Sequence, residues 1–148
     1  MLDFTFQNPT KILFGRGRIR DLAGEIPQGQ RVLITYGGGS VLKNGTLDEV
    51  RSALASFPVT EFGGIEPNPS YEHLMEAVVL ARREKTDFLL AVGGGSVIDG
   101  TKFIAAAVPF QGGDPWELVA HRAPVRDVLP FGTVLTLRAM GSEMNSGA

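Results

Sequence analysis

Apolar residues along this chain fall into short continuous runs, separated by stretches in which they recur every three or four positions. RVLITY at 31–36 and DFLLAV at 87–92 are unbroken and β-rich, as expected of strands buried on both faces. Between them, Leu47, Val50 and Leu54 keep the spacing of one helical face over 46–55. Leu74, Val78 and Ala81 do the same within a helix expected to run from a Ser70 cap to about Glu84. A shorter strand is expected at 57–62, a proline-rich loop at IEPNPS (65–70), and a further helix over 96–107 with Val97, Thr101, Ile104 and Val108 along one stripe. The last strand is expected within VLPFGTVLTL at 128–137. At the N-terminus, residues 2–6 and 11–14 flank Asn8-Pro9 and read as a small β-hairpin, whose free edge offers a homodimer contact. The alternation of strand and helix predicts an α/β, doubly wound domain: a mostly parallel sheet with helices on both faces, joined by right-handed βαβ units.

Composition sets the boundaries of that picture. A chain of 148 residues with 43% hydrophobic content suits one domain over 1–148 with a substantial core. Its 14 basic and 16 acidic residues are dispersed, so neither nucleic acid nor an anionic membrane has an electrostatic footprint to meet. The absence of cysteine excludes a disulfide framework, a thiolate metal site and a cysteine nucleophile, and it fits a cytoplasmic setting. The longest apolar run, FIAAAV at 103–108, is far below a membrane span, and the first residues lack the pattern of a signal peptide.

Chemistry enters through a repeat: YGGGSV at 36–41 and VGGGSV at 92–97 each follow an apolar strand, where open α/β sheets place their ligands. In the second run, Gly93, Gly94 and Gly95 let the backbone approach a ligand without a Cβ in the way, and Ser96 opens a helix whose free N–H groups suit a phosphate or pyrophosphate. The competing reading is a tight turn with a good cap, because Ser96 and Asp99 form an S-x-x-D pattern close to the capping box. Known nucleotide fingerprints fit poorly: GGGSVI lacks the third glycine of G-x-G-x-x-G, and GSVIDGTK at 95–102 has Thr-Lys in the wrong order for a P-loop. In the first run, Gly37, Gly38, Gly39 and Ser40 are not followed by an acid that would hold a ribose diol and repel a 2′-phosphate, which leans toward NADP(H). Lys43 reads equally as a phosphate ligand or as a solvated helix-start lysine.

Taken together, PTKILFG, RVLITYGGGSV, EFGGIEPNP, FLLAVGGGSVIDGTKFIAAA, DPW and GSEMNSGA resemble the N-terminal half of the iron-containing (group III) alcohol dehydrogenases, specifically the NADPH-dependent butanol dehydrogenase and aldehyde reductase branch. The resemblance runs over essentially the whole chain and implies a Rossmann-like, dehydroquinate synthase-like nucleotide-binding fold. It implies that Gly93 to Ser96 hold the pyrophosphate of NADP(H), that Gly37 to Ser40 receive the adenosine 2′-phosphate, that Asp99 lies toward the nicotinamide, and that Thr136 contacts the cofactor. A dehydroquinate synthase-like or glycerol dehydrogenase-like protein shares the GGGS-x-x-D logic but fits GIEPNP poorly.

In that family a divalent metal, iron or zinc, is held by one aspartate and three histidines of an all-helical C-terminal domain. The sequence carries only His73 and His121, without ligand spacing, so no metal site, no catalytic residue and no alcohol or aldehyde site is expected within these 148 residues. His73 is expected on the exposed side of its helix. The family usually reads T-L-P-A-T-G-S-E where this chain has TLRAMGSE; Arg138 in place of proline and Met140 in place of threonine put cofactor contacts there in doubt. The face that would line the cleft against the helical domain is expected to expose apolar side chains.

Overall fold

The computed structural model describes residues 5, 7–137 and 141–145. Four strands, β1 (Val32–Gly37), β2 (Val59–Ile65), β3 (Phe88–Gly93) and β4 (Phe131–Leu135), form one sheet in the order β2-β1-β3-β4. Every pairing is parallel, with Val32 opposite both Val59 and Phe88, and Leu89 opposite Phe131. Among the described residues six helices surround it: α1 (Leu22–Glu25), α2 (Ser40–Lys43), α3 (Thr46–Ala53), α4 (Tyr71–Arg83), α5 (Gly95–Ala107) and α6 (Trp116–Ala120), with a 3-10 turn at Arg18–Asp21.

The central strands form because their residues serve two cores at once. Val32, Ile34, Leu90 and Val92 point to one face, where they pack with Ile26, Val41, Leu47, Val50, Leu54 and Phe57. Leu33, Leu89 and Ala91 point to the other, against Leu74, Val78 and Ala81 of α4 and Val97, Ile98 and Ile104 of α5. The connection through α3 leads from β1 outward to β2, whereas those through α4 and α5 lead toward β3 and β4. Crossovers running in opposite directions therefore cover opposite faces, the arrangement that keeps one hand of connection throughout. This is the expected α/β fold.

Local signals fix the helix ends. Ser70 caps α4, its hydroxyl accepting from the His73 N–H at 3.3 Å. At the far end of α5, Arg82 donates to the carbonyls of Ala107 at 2.7 Å and Val108 at 3.0 Å, satisfying groups that a helix terminus leaves open.

Three expectations change. Lys11–Phe14 forms no strand: Ile12 and Phe14 point into solvent at 63% and 84% exposure, and Lys11 is held by an ion pair to Glu25 instead. The other half of the expected hairpin, residues 2–6, lies outside the described residues except for Thr5, which is not in a strand. The second strand begins and ends later than 57–62, because Phe57 turns into the α3 core, and the last strand is confined to the five residues of β4. Finally, α5 starts at Gly95 with Gly94 as its cap, so Ser96 sits inside the first turn and does not cap it. Arg138 and Met140 lie outside the described residues.

Candidate functional site

Leaving β1 and β3 in opposite directions, the chain opens a crevice at the carboxyl ends of these two adjacent strands, the topological switch point of an open sheet. Both glycine runs line it. Gly37 closes β1, and Gly38 and Gly39 follow into Ser40, the first residue of α2. Gly93 closes β3, Gly94 caps α5, and Gly95 and Ser96 begin it. The register brings the runs side by side, since the residues just before them, Tyr36 and Val92, are direct partners. Thr136 joins from just past the end of β4: its N–H donates to the Gly93 carbonyl at 3.0 Å, and its own side chain is exposed.

The glycines differ in what a side chain would meet. A Cβ on Gly93 would lie 2.7 Å from Val97 Cγ2, so α5 reaches this close to the sheet only over a bare backbone. A Cβ on Gly38 or Gly39 would meet nothing within 4 Å. These positions face free space, where a side chain costs the fold little and a ligand would feel it.

Electrostatically, the second run is suited to an anion. Gly94 has no side chain with which to cap α5, and the first turn of this thirteen-residue helix carries no acid. Its amide groups thus retain the roughly half-unit positive charge of a helix N-terminus. Asp99 lies one turn further on, partly exposed, 3.5 Å from Lys102 Nζ, which also donates to Asn145 at 2.8 Å. That placement removes the capping role weighed for Asp99.

Beside Ser96 and Asp99 opens a cavity of about 300 Å³, walled by Asn68, Tyr71, Phe103 and Trp116. Its aromatic wall is held by Asp114, which accepts from the Tyr71 hydroxyl and from the Trp116 N–H. Those two bonds keep the Asp114 carboxyl below the ordinary aspartate range, while burial first and the hydrogen bond to Asp114 second raise the Tyr71 hydroxyl. Sequence reading missed this pairing; its only signal was DPW, quoted without a partner.

On the other side of the crevice, Tyr36 lies over Gly63, where a Cβ would come within 2.4 Å of its ring. Its hydroxyl approaches Glu61, which is gripped by Arg51 at 2.7 and 2.9 Å. The Arg51 hydrogen bonds hold the Glu61 carboxyl below its usual range, and Lys43 extends into solvent at the end of α2. His73 does not sit on the exposed side of its helix: its Nδ1 lies 2.9 Å from Glu66 Oε2, its ring meets Phe62 edge-on at 5.0 Å, and its side chain is 27% exposed. Glu66, within GIEPNP, also accepts from the Ser70 N–H, the main cause of its lowered pKa.

Among the described residues no group of three or more His, Cys, Asp or Glu side chains is placed to hold a metal ion, and no helix is long and apolar enough to cross a membrane. Leu137, 67% exposed, flanks Gly94, and Trp116 and Val119 are also open to solvent.

Comparison with known proteins follows the same line. The family model for iron-containing alcohol dehydrogenases matches residues 9–148. The chain is 57% identical to the NADPH-dependent aldehyde reductase YqhD of Escherichia coli and 50% identical to a probable NADH-dependent butanol dehydrogenase of Bacillus subtilis. In both cases all of this chain is covered but only 39% of the relative. A solved structure of E. coli YqhD superposes with a TM-score of 0.92 at 56% identity, covering 97% of this chain and 37% of that one.

Proposed function

The chain belongs to the iron-containing alcohol dehydrogenase family, and from that premise we propose that its 148 residues are the dinucleotide-binding domain of an NADP(H)-dependent alcohol dehydrogenase or aldehyde reductase. The observation that carries this is the meeting of two GGGS runs at one switch point, one of them opening a long, uncapped helix. Gly93, Gly94, Gly95 and Ser96 bind the pyrophosphate; Gly37, Gly38, Gly39 and Ser40 take the adenosine 2′-phosphate; Asp99 faces the nicotinamide end; Thr136 borders the cofactor from β4. The residues fit the group, because an anion meets the amides of α5 and the open side of Gly38 and Gly39 leaves room for it.

When bound, the cofactor supplies the hydride; this domain holds and orients it. No residue of the chain is assigned to proton transfer or to the alcohol or aldehyde. The setting is the cytoplasm, with exposed Ile12, Phe14 and Leu137 available for association into a homodimer.

A second reading, NADH in place of NADPH, is favoured by the name of the B. subtilis relative at 50% identity. Calorimetric titration with each dinucleotide separates the two. Saturable binding that is tighter for NADPH is the expected result, tighter NADH binding supports the second reading, and no binding to either overturns both.

A further inference from the structure

We propose that Thr35 and Thr101 are positioning residues, whose buried hydroxyl bond sets how far α5 projects past the end of β1 and therefore the spacing of the two glycine runs. The inference rests on the cofactor reading above, because spacing matters only to a ligand that spans both runs.

The two side chains are fully buried, 0% exposed, and their hydroxyl oxygens lie 2.6 Å apart. Thr101 donates to the Val97 carbonyl one turn back at 2.7 Å, so its oxygen accepts the only proton Thr35 has. Leu90 carbonyl oxygen, 3.4 Å from Thr35 Oγ1, is the weaker alternative. The result is a directed chain from β1 to Thr101 to the first turn of α5. Two methyl groups in this place would fill the space equally well; a pair of hydroxyls adds desolvation cost and, in return, an orientation that apolar contact lacks.

Placement gives the bond its leverage. Val97 covers the ends of both central strands, 3.5 Å from a Cβ built on Gly37 and 2.7 Å from one on Gly93. Thr101 follows Val97 by four residues on the helix, and Thr35 precedes Gly37 by two on the strand. Both steps advance about 6 Å. Helix and strand are therefore pinned at two matched levels: an apolar one at the glycines, which a small slide of α5 would tolerate, and a hydrogen-bonded one beneath, which would not. Sliding α5 moves the amides of Gly95 and Ser96 relative to Gly38 and Ser40.

The test compares Thr35→Val and Thr101→Val with Thr35→Ser and Thr101→Ser, by NADPH titration alongside thermal unfolding. The valine variants are expected to weaken NADPH by about five- to tenfold, the scale of one misplaced hydrogen bond. The serine variants, which keep the hydroxyl and lose a methyl, are expected to bind as the parent does. The double variant T35V/T101V leaves no orphan hydroxyl, so it is expected to stay folded and still bind weakly. Parent-like binding by the double variant, or serine variants as weak as the valine ones, overturns the positioning role and leaves packing alone. A parent chain that binds neither dinucleotide brings down the cofactor reading, and this inference with it; a parent that binds while the valine variants are unchanged brings down only this inference.

Discussion

Residues 37–40 and 93–96 spell the same four letters, GGGS, and both stand at the end of a buried parallel strand. Their surroundings diverge. The second run is compressed, with Val97 pressed over Gly93 and thirteen residues of helix behind it, while the first opens outward into a four-residue helix with free space beside Gly38 and Gly39. The first is also braced by charge, through Tyr36, Glu61 and Arg51, and the second by apolar packing of α5. The repeated motif therefore carries two duties: Gly93, and less tightly Gly37, whose Cβ would meet the Ile65 carbonyl at 3.3 Å, let the protein close on itself, whereas Gly38 and Gly39 leave room for something else to approach.

The largest effect expected from this division is on folding. Gly93→Ala places a methyl group against Val97 and should cost about 1–3 kcal/mol, seen as a lower midpoint in urea. A variant as stable as the parent would mean that the second run is not compressed. Gly38→Ala should do the reverse, changing stability by less than about 0.5 kcal/mol while weakening NADPH by roughly tenfold in titration. Unchanged affinity would place the ligand elsewhere than beside the first run.

Acid should separate the two runs more gently. Arg51 lowers the folded pKa of Glu61, so this pair adds stability that is complete above the ordinary glutamate range, about pH 4.3, and is lost as pH falls through the lower folded value. Hydrogen-exchange protection at 37–40 should fall with acid before protection at 95–97 does, and Glu61→Gln should remove most of that difference. Equal loss at both runs would show that charge does not brace the first one selectively.

What could be read beforehand followed from physical distance along the chain. β1 and β3 were legible because burial on both faces leaves an unbroken apolar run, and α4 because Ser70, Leu74, Val78 and Ala81 write cap and stripe in one segment. α2 and α6, of four and five residues, are too short for a helical period to register. Of the expected N-terminal hairpin, residues 11–14 form no strand because a turn signal at Asn8-Pro9 does not by itself supply a pairing partner, and Ile12 and Phe14 face solvent. Within the site, the positions of the glycine runs were legible, but Thr35 with Thr101 and Tyr71 with Asp114 are pairs between segments far apart, for which local pattern carries no signal.

The all-parallel register also sets the timetable on which this domain comes into being. Each ladder joins residues parted by at least one complete helix, Val32 with Val59 and with Phe88, Leu89 with Phe131, so no strand finds its neighbour by a local turn. Loop closure must precede every reward, which makes folding slow for a chain of this length. During synthesis β1 emerges early and waits for β3, its apolar residues unsheltered on one edge, and transiently exposed strands of this kind favour aggregation.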